Sequence, residues 1–199
     1  PNSSSTIGTP VRPGSMKIKD VNGDGVINLD DRTIIGNANP KHTGGFIING
    51  NYSNFDFSAG FNWSFGNDIY NANKIEHTSA TANNQYRNLL TEMEGGVRWT
   101  NIDPSTGVLV TDPTELAALN ANTTMWSPYN NYVFTDWAVE DGSFIRLNTL
   151  TLGYSLPKDL LKTFGISRLR FYTTASNVFV WTKYSGFDPE VSTRRQTPY

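Results

Sequence analysis

The chain has 199 residues, a formal net charge of −2, no cysteine, and 13% aromatic side chains. That charge lacks the basic footprint of a nucleic-acid binder, and the missing thiols exclude disulfides and thiolate chemistry. No run approaches 18 apolar residues, so no transmembrane helix is expected, while a transmembrane barrel, whose strands alternate, stays open.

The size fits one ordinary domain or a piece of a larger one, and the ends read as those of a piece. Abundant Asn, Thr, Ser and Gly beside the aromatics suit an all-β exported protein. Residues 1–15 are rich in Ser, Pro and Gly and read as a loop or linker. Met16-Lys17-Ile18-Lys19 then reads as a short strand, running straight into a polar loop.

That loop, residues 20–31, carries the sharpest local motif. Oxygen-bearing side chains fall at its positions 1, 3, 5, 9 and 12, as Asp20, Asn22, Asp24, Asn28 and Asp31, with Gly25 at the sharp turn of position 6. Val26 at position 7 would offer its carbonyl, and Asn28 would act through water. This spacing predicts one structural Ca²⁺, which needs six or more oxygens curled around it. Asp31 stands where the EF-hand pattern has a bidentate Glu. The competing reading is a metal-free Asx/Gly turn, and the full ligand spacing favours the cation. One helical turn is expected before Gly36.

Residues 45–53 and 55–65 read as two strands joined by a tight Ser53-Asn54 turn. In Phe55-Asp56-Phe57-Ser58-Ala59-Gly60-Phe61-Asn62-Trp63-Ser64-Phe65 every odd position is apolar and every even one small or polar. Side chains alternate across a strand, so one face is greasy and the other polar. A soluble sandwich would bury the greasy face; an outer-membrane barrel would turn it to lipid and the polar face to a wet lumen. This strand alone leaves the two readings level.

Alternation vanishes over residues 66–142, where helices are expected at Asn84–Met93 and Pro113–Leu119. So long a connection is improbable inside a compact sandwich and ordinary outside a membrane barrel. Strands resume at 143–155 and 168–181, joined by a short helical connection over Pro157–Gly165. Ile145 and Leu147 lie on the opposite parity from Leu150, Leu152 and Tyr154, which points to a bulge or a buried entry to the strand. The segment 184–199 opens another loop. The expected topology puts Ser53-Asn54 and Pro157–Gly165 on the periplasmic side, with the loops at about 20–43, 66–142 and 184–199 outside.

Several motifs, in order, resemble one family. They are Pro13-Gly14-Ser15-Met16-Lys17-Ile18-Lys19-Asp20-Val21-Asn22-Gly23-Asp24-Gly25-Val26-Ile27 continuing to Ile35-Gly36-Asn37-Ala38-Asn39-Pro40, then Gly66–Asn71, Glu140–Leu147, Leu152–Pro157, Ser176–Phe179 and Lys183–Glu190. Across nearly all of residues 13–191 the chain resembles SusC/RagA-type transporters, which are TonB-dependent outer-membrane proteins. Ser15 and Met16 depart from a commoner Asp-Ile pair.

The resemblance implies an all-β fold, the C-terminal hairpins of a roughly 22-stranded TonB-dependent transmembrane β-barrel. The N-terminal plug and the final strand are expected outside these residues. It further implies outer-membrane lipid around the barrel, TonB as energy source, a SusD-like surface lipoprotein as lid, and an oligosaccharide or peptide cargo.

Other residues read less sharply. Trp99, Trp126, Tyr129 and Trp137 are candidate cargo or lid contacts, or else hold the long loop together. Phe65, Tyr154, Phe179 and Trp181 suit interfacial girdles. His42 and His77 read as surface histidines, and Glu76, Glu92, Glu94, Asp103, Asp136, Glu140 and Asp141 as solvated loop charges. No constellation suggests catalysis. Besides the importer, two classes stay open: a soluble glycan-binding or dockerin-like calcium module, and an extracellular glycoside hydrolase.

Overall fold

A computed structural model describes residues 11–81, 86–130 and 133–190. They form two compact units, one within residues 36–70 and 139–190, the other within 11–35 and 71–138.

The first unit holds the strands β1 (His42–Tyr52), β2 (Phe55–Phe65), β3 (Asp68–Tyr70), β4 (Val139–Asp141), β5 (Phe144–Ser155) and β6 (Arg170–Thr182). Four of them make one antiparallel sheet in the order β1-β2-β5-β6. Register aligns the alternation across all four strands. Phe46, Phe61, Leu147 and Phe179 form one row, and Tyr52, Phe55, Tyr154 and Phe171 another. Between such rows run polar ones, for example Asn49, Ser58, Thr151 and Thr174. A one-residue slip in any strand would mix the two sets, so the pattern itself fixes the pairing.

The apolar face is not buried. Phe57 is 42% exposed, Leu152 53% and Phe171 60%, which leaves a broad apolar surface open on that side. Gly50 lies under the Phe57 ring, where a Cβ would sit 2.2 Å from a ring carbon, and Gly44 lies likewise under Trp63 at 2.4 Å. The rings thereby cover backbone that would otherwise stay bare.

Of the two readings of the parity break in β5, the bulge is the one observed. Register shifts at Gly60/Phe61 and at Leu147/Thr149, which leaves Asn148 outside the β2 pairing and flips parity within β5. Beside it, Asn177 of β6 takes φ 51°.

The two ends of the sheet differ. At one end Ser53-Asn54 turns tightly, with Ser53 at φ 55°, and α3 (Lys158–Lys162) with its flanks links β5 to β6. At the other end His42, Phe65, Phe144 and Thr182 lie in neighbouring register, so every long segment leaves from there. The short ribbon β3–β4 closes the neck of the longest one, pairing Asp68 with Asp141. There the Gly66 N–H donates to Ser143 Oγ at 2.9 Å, and Thr182 Oγ1 donates to the Ser143 carbonyl at 2.9 Å.

The second unit is loop-rich, with α1 (Ala72–Glu76) and α2 (Pro113–Leu119). Asp112 caps α2 through the Thr114 and Glu115 N–H groups, and Pro113 opens it, as expected. Ile27, Ile75, Met93 and Ala138 form its small buried core.

Two expectations change. Met16–Lys19 is not a strand; its residues line a cavity instead. Only Thr91–Met93 of the expected 84–93 helix is helical, as one 3₁₀ turn, while residues 84 and 85 lie outside the described residues. The Leu90 N–H is taken by the His77 carbonyl at 3.1 Å, a tertiary partner for a group a longer helix would have used internally. The helical turn expected before Gly36 is present as a 3₁₀ turn at Leu29–Asp31. Among the described residues no helix is long and apolar enough to cross a membrane.

Candidate functional site

The polar loop curls through its own side chains. Asp20 Oδ1 accepts from the Gly23 N–H at 2.6 Å and its Oδ2 from the Gly25 N–H at 2.8 Å. Gly23 and Gly25 take φ 78° and 85°, which glycine reaches without a Cβ penalty. Asp31 closes the ring, its two oxygens accepting from the Val21 and Asn28 N–H groups at 2.8 Å each. Those donors, Asn28 first and then Val21, hold the Asp31 carboxyl below its ordinary range.

The donors at Asp20, Asn22, Asp24, Val26, Asn28 and Asp31 are all oxygens, which fits a hard cation in kind. Among the described residues, however, no three acidic or histidine side chains gather into a metal-holding group. Asp24 Oδ1 accepts from the Val26 N–H at 2.8 Å, so it too is engaged by backbone.

Next to this loop lies a cavity of about 870 Å³, with Val21 and Asp31 on one wall and Trp126 and Trp137 on another. The two indoles meet edge-on, with centroids 4.9 Å apart and planes at 78°. Lys74 Nζ stands 4.5 Å over the Trp137 ring and donates to its carbonyl at 3.2 Å. This arrangement joins packing with cation–π attraction and fixes the Trp137 plane. Lys17, Lys19 and Arg32 also border the cavity, opposed by Asp31 and Asp136.

Of the four aromatic candidates, only Trp126 and Trp137 come together here. Trp99 lies flat against Gly14, where a Cβ would sit 2.5 Å from its ring. It holds the loop together, since Gly14 is also bound by the Ser127 N–H and by Asn130 Nδ2. Tyr129 is 70% exposed and stands apart.

The polar face of the sheet carries charges that strand-by-strand reading passed over. Arg170 Nε and Nη2 donate to Asp56 Oδ1 and Oδ2 at 2.9 and 2.6 Å, a two-pronged pair spanning β2 to β6 across Gly153. Further along, Arg146 Nη2 donates to Asp188 Oδ1 at 2.6 Å. The histidines have modest roles: His42 Nδ1 accepts from Trp63 Nε1 at 3.3 Å, and the His77 ring meets the Asn88 carbonyl at 3.0 Å.

No family model matches the chain. It is 32% identical over 197 residues to TonB-dependent receptor P3 of Formosa agariphila, covering 98% of this chain and 17% of that protein. It is also 28% identical over 192 residues to TonB-dependent receptor SusC of Bacteroides thetaiotaomicron, covering 90% of this chain and 16% of that one. The chain belongs to the TonB-dependent receptors. A structure of the RagAB peptide importer in its closed-closed state has the same fold, with a TM-score of 0.59 at 24% identity over 78% of this chain and 15% of that one. The chain spans about one sixth of the length of these receptors.

Full charges thus stand inside strands, on the polar face of the sheet. Asp56, Arg146 and Arg170 are functional candidates that the sequence reading does not name, although each is a full charge at a polar-parity strand position. That was the available signal. Several supposed loop charges are also engaged: Glu140 accepts from Ser185 and Asp141 from Ser143, while Glu76 meets Arg87 and Asp103 accepts from Ser105. Ser143, through its hydroxyl and then its N–H, holds the Asp141 carboxyl below the usual range.

Proposed function

We propose that the intact protein imports oligosaccharides across a bacterial outer membrane, and that this chain supplies part of its barrel wall and outer loops. One observation carries the reading: strands of 11, 11, 12 and 13 residues form a sheet with an exposed aromatic face, and every long segment leaves from the same end. Those lengths suit tilted strands crossing hydrocarbon. An apolar face left open is what a soluble calcium module could not tolerate.

In this reading TonB acts through an N-terminal plug, and a SusD-like lipoprotein closes over the side from which the long segments leave. A Ca²⁺ held by Asp20, Asn22, Asp24, the Val26 carbonyl, Asp31 and, through water, Asn28 would order the loop bordering the Trp126–Trp137 cavity. The oxygen-only donor set and the curled backbone support that ion. The cavity is where cargo or lid would meet aromatic surface.

Peptide cargo is the second reading, favoured by the fold the chain shares with the RagAB peptide importer. Uptake of labelled oligosaccharides and labelled oligopeptides would be compared in cells with and without the intact gene, each with TonB present or deleted. TonB-dependent oligosaccharide uptake lost with the gene is expected. Loss of peptide uptake alone would select the second reading, and loss of neither would refute import.

A further inference from the structure

The segment following β6 does not leave the sheet freely. Tyr184 is buried, 9% exposed, and burial together with the nearby Glu140 charge pushes its phenol up. Ser185 donates its N–H and its hydroxyl to the two Glu140 oxygens at 2.8 Å each. Beyond it the segment meets Arg146 twice. Nη2 reaches Asp188 Oδ1 at 2.6 Å, and Nε lies 2.7 Å from Glu190 Oε2, an ion pair whose angle falls outside hydrogen-bond geometry. Asn62 Nδ2 approaches the other Glu190 oxygen at 3.5 Å.

Arg146 sits in the polar row of Gly45, Asn62 and Val180, and its side chain is only 8% exposed. A guanidinium withdrawn from water must be paired, and removing its partners strands the charge. Here both partners come from residues 188–190, a stretch 42 to 44 residues further along the chain. The guanidinium also stands 5.6 Å from the Phe144 ring centroid, which limits where it can swing. Neither the strand pairing nor the aromatic face requires this contact.

We propose that Arg146 is a positioning residue that latches residues 184–190 across the polar face as a fixed strap, so that the chain's own return segment narrows the passage on that side. That this face borders a passage rests on the import reading; the strap's attachment rests on the sheet alone. Phe187 makes the strap testable, because it is 85% exposed yet lies between the Ser185 and Asp188 anchors. A protease can cut there only after the strap opens locally.

The intact protein in detergent would be digested with chymotrypsin, and cleavage after Phe187 followed, with barrel folding checked by resistance to unfolding in cold SDS. Wild type should be cut slowly. Arg146→Gln and the double variant Asp188→Asn/Glu190→Gln should be cut faster by on the order of tenfold or more, the least expected from releasing a buried pair. Arg146→Lys should fall between, since an ammonium cannot grip two carboxylates as a fork does. Wild-type cleavage in the folded double variant would overturn the latch, and that variant decides if Arg146→Gln fails to fold. Import is read separately: fast cleavage with unchanged uptake of both small and large cargo would keep the strap and overturn the narrowing.

Discussion

Gly153 separates the two halves of the Asp56–Arg170 pair, and replacing it tests how that pair is built. A Cβ added at Gly153 would lie 2.5 Å from both Asp56 carboxylate oxygens and from Arg170 Nη2. The backbone there lies outside the positive-φ region, so Ala meets no conformational penalty of its own. It would instead gain about 0.4–1 kcal/mol by restricting the unfolded chain. Against this stands the displaced pair. Two hydrogen bonds between charged groups contribute about 1.5–3 kcal/mol each when well buried. Both side chains are 30% exposed, so solvent screening lowers the whole pair to about 1–2 kcal/mol. Gly153→Ala should therefore destabilise the barrel by about 1 kcal/mol in net. In an Asp56→Ala background the obstacle is gone, and the same substitution should be neutral or slightly stabilising. Guanidinium unfolding of the intact receptor in detergent, followed by tryptophan fluorescence, would measure the four corners of this cycle. Equal effects of Gly153→Ala in both backgrounds would refute the reasoning.

Three further outcomes follow. Phe61→Arg on the aromatic face should cost about 2–4 kcal/mol near mid-membrane, whereas Ser58→Arg on the polar face should fold nearly as wild type; comparable loss of folded barrel from both would favour a sheet buried on two sides. The depressed Asp141 carboxyl contributes its hold on Ser143 fully above the ordinary carboxylate pKa and loses it only as pH falls through the lower folded value. Exchange protection of the Ser143 amide should thus be flat from pH 7 to about 5 and drop only below about 4; a drop near neutrality would contradict this. Asp20→Ala with Asp24→Ala should remove one bound calcium from the intact protein and expose the loop near Gly25 to protease, and unchanged calcium with a resistant loop would leave the Asx/Gly turn standing.

The strands were legible wherever alternation is strict. Residues 55–65 match the observed limits of β2, and the parity break between Leu147 and Leu150 left a bulge and a buried entry open, of which the bulge is present. β1 starts three residues earlier than read, at His42, because His42, Thr43 and Gly44 carry no apolar alternation, although the bare backbone of Gly44 lies beneath Trp63. β3 and β4 were not legible: three residues each carry no period, and their pairing joins residue 68 to residue 141. Met16 and Ile18 suggested a strand because apolar alternation does not say whether a face meets a sheet or a cavity. In the candidate site, Trp126 and Trp137 were named from composition, but Lys74 over Trp137 depends on how α1 meets the 3₁₀ turn at Asp136–Ala138. The Arg146 and Arg170 pairs depend on register between distant strands, which no local pattern encodes.

The central claim is that this sheet is the wall of an outer-membrane barrel with its long segments outside. Single cysteines at Thr106 and at Asn54 of the intact receptor would be probed on whole cells with a membrane-impermeant thiol reagent. Thr106, in the long segment between β3 and β4, should label on intact cells, and Asn54, in the tight turn between β1 and β2, only after the outer membrane is opened. Labelling at Asn54 with none at Thr106 would contradict the account.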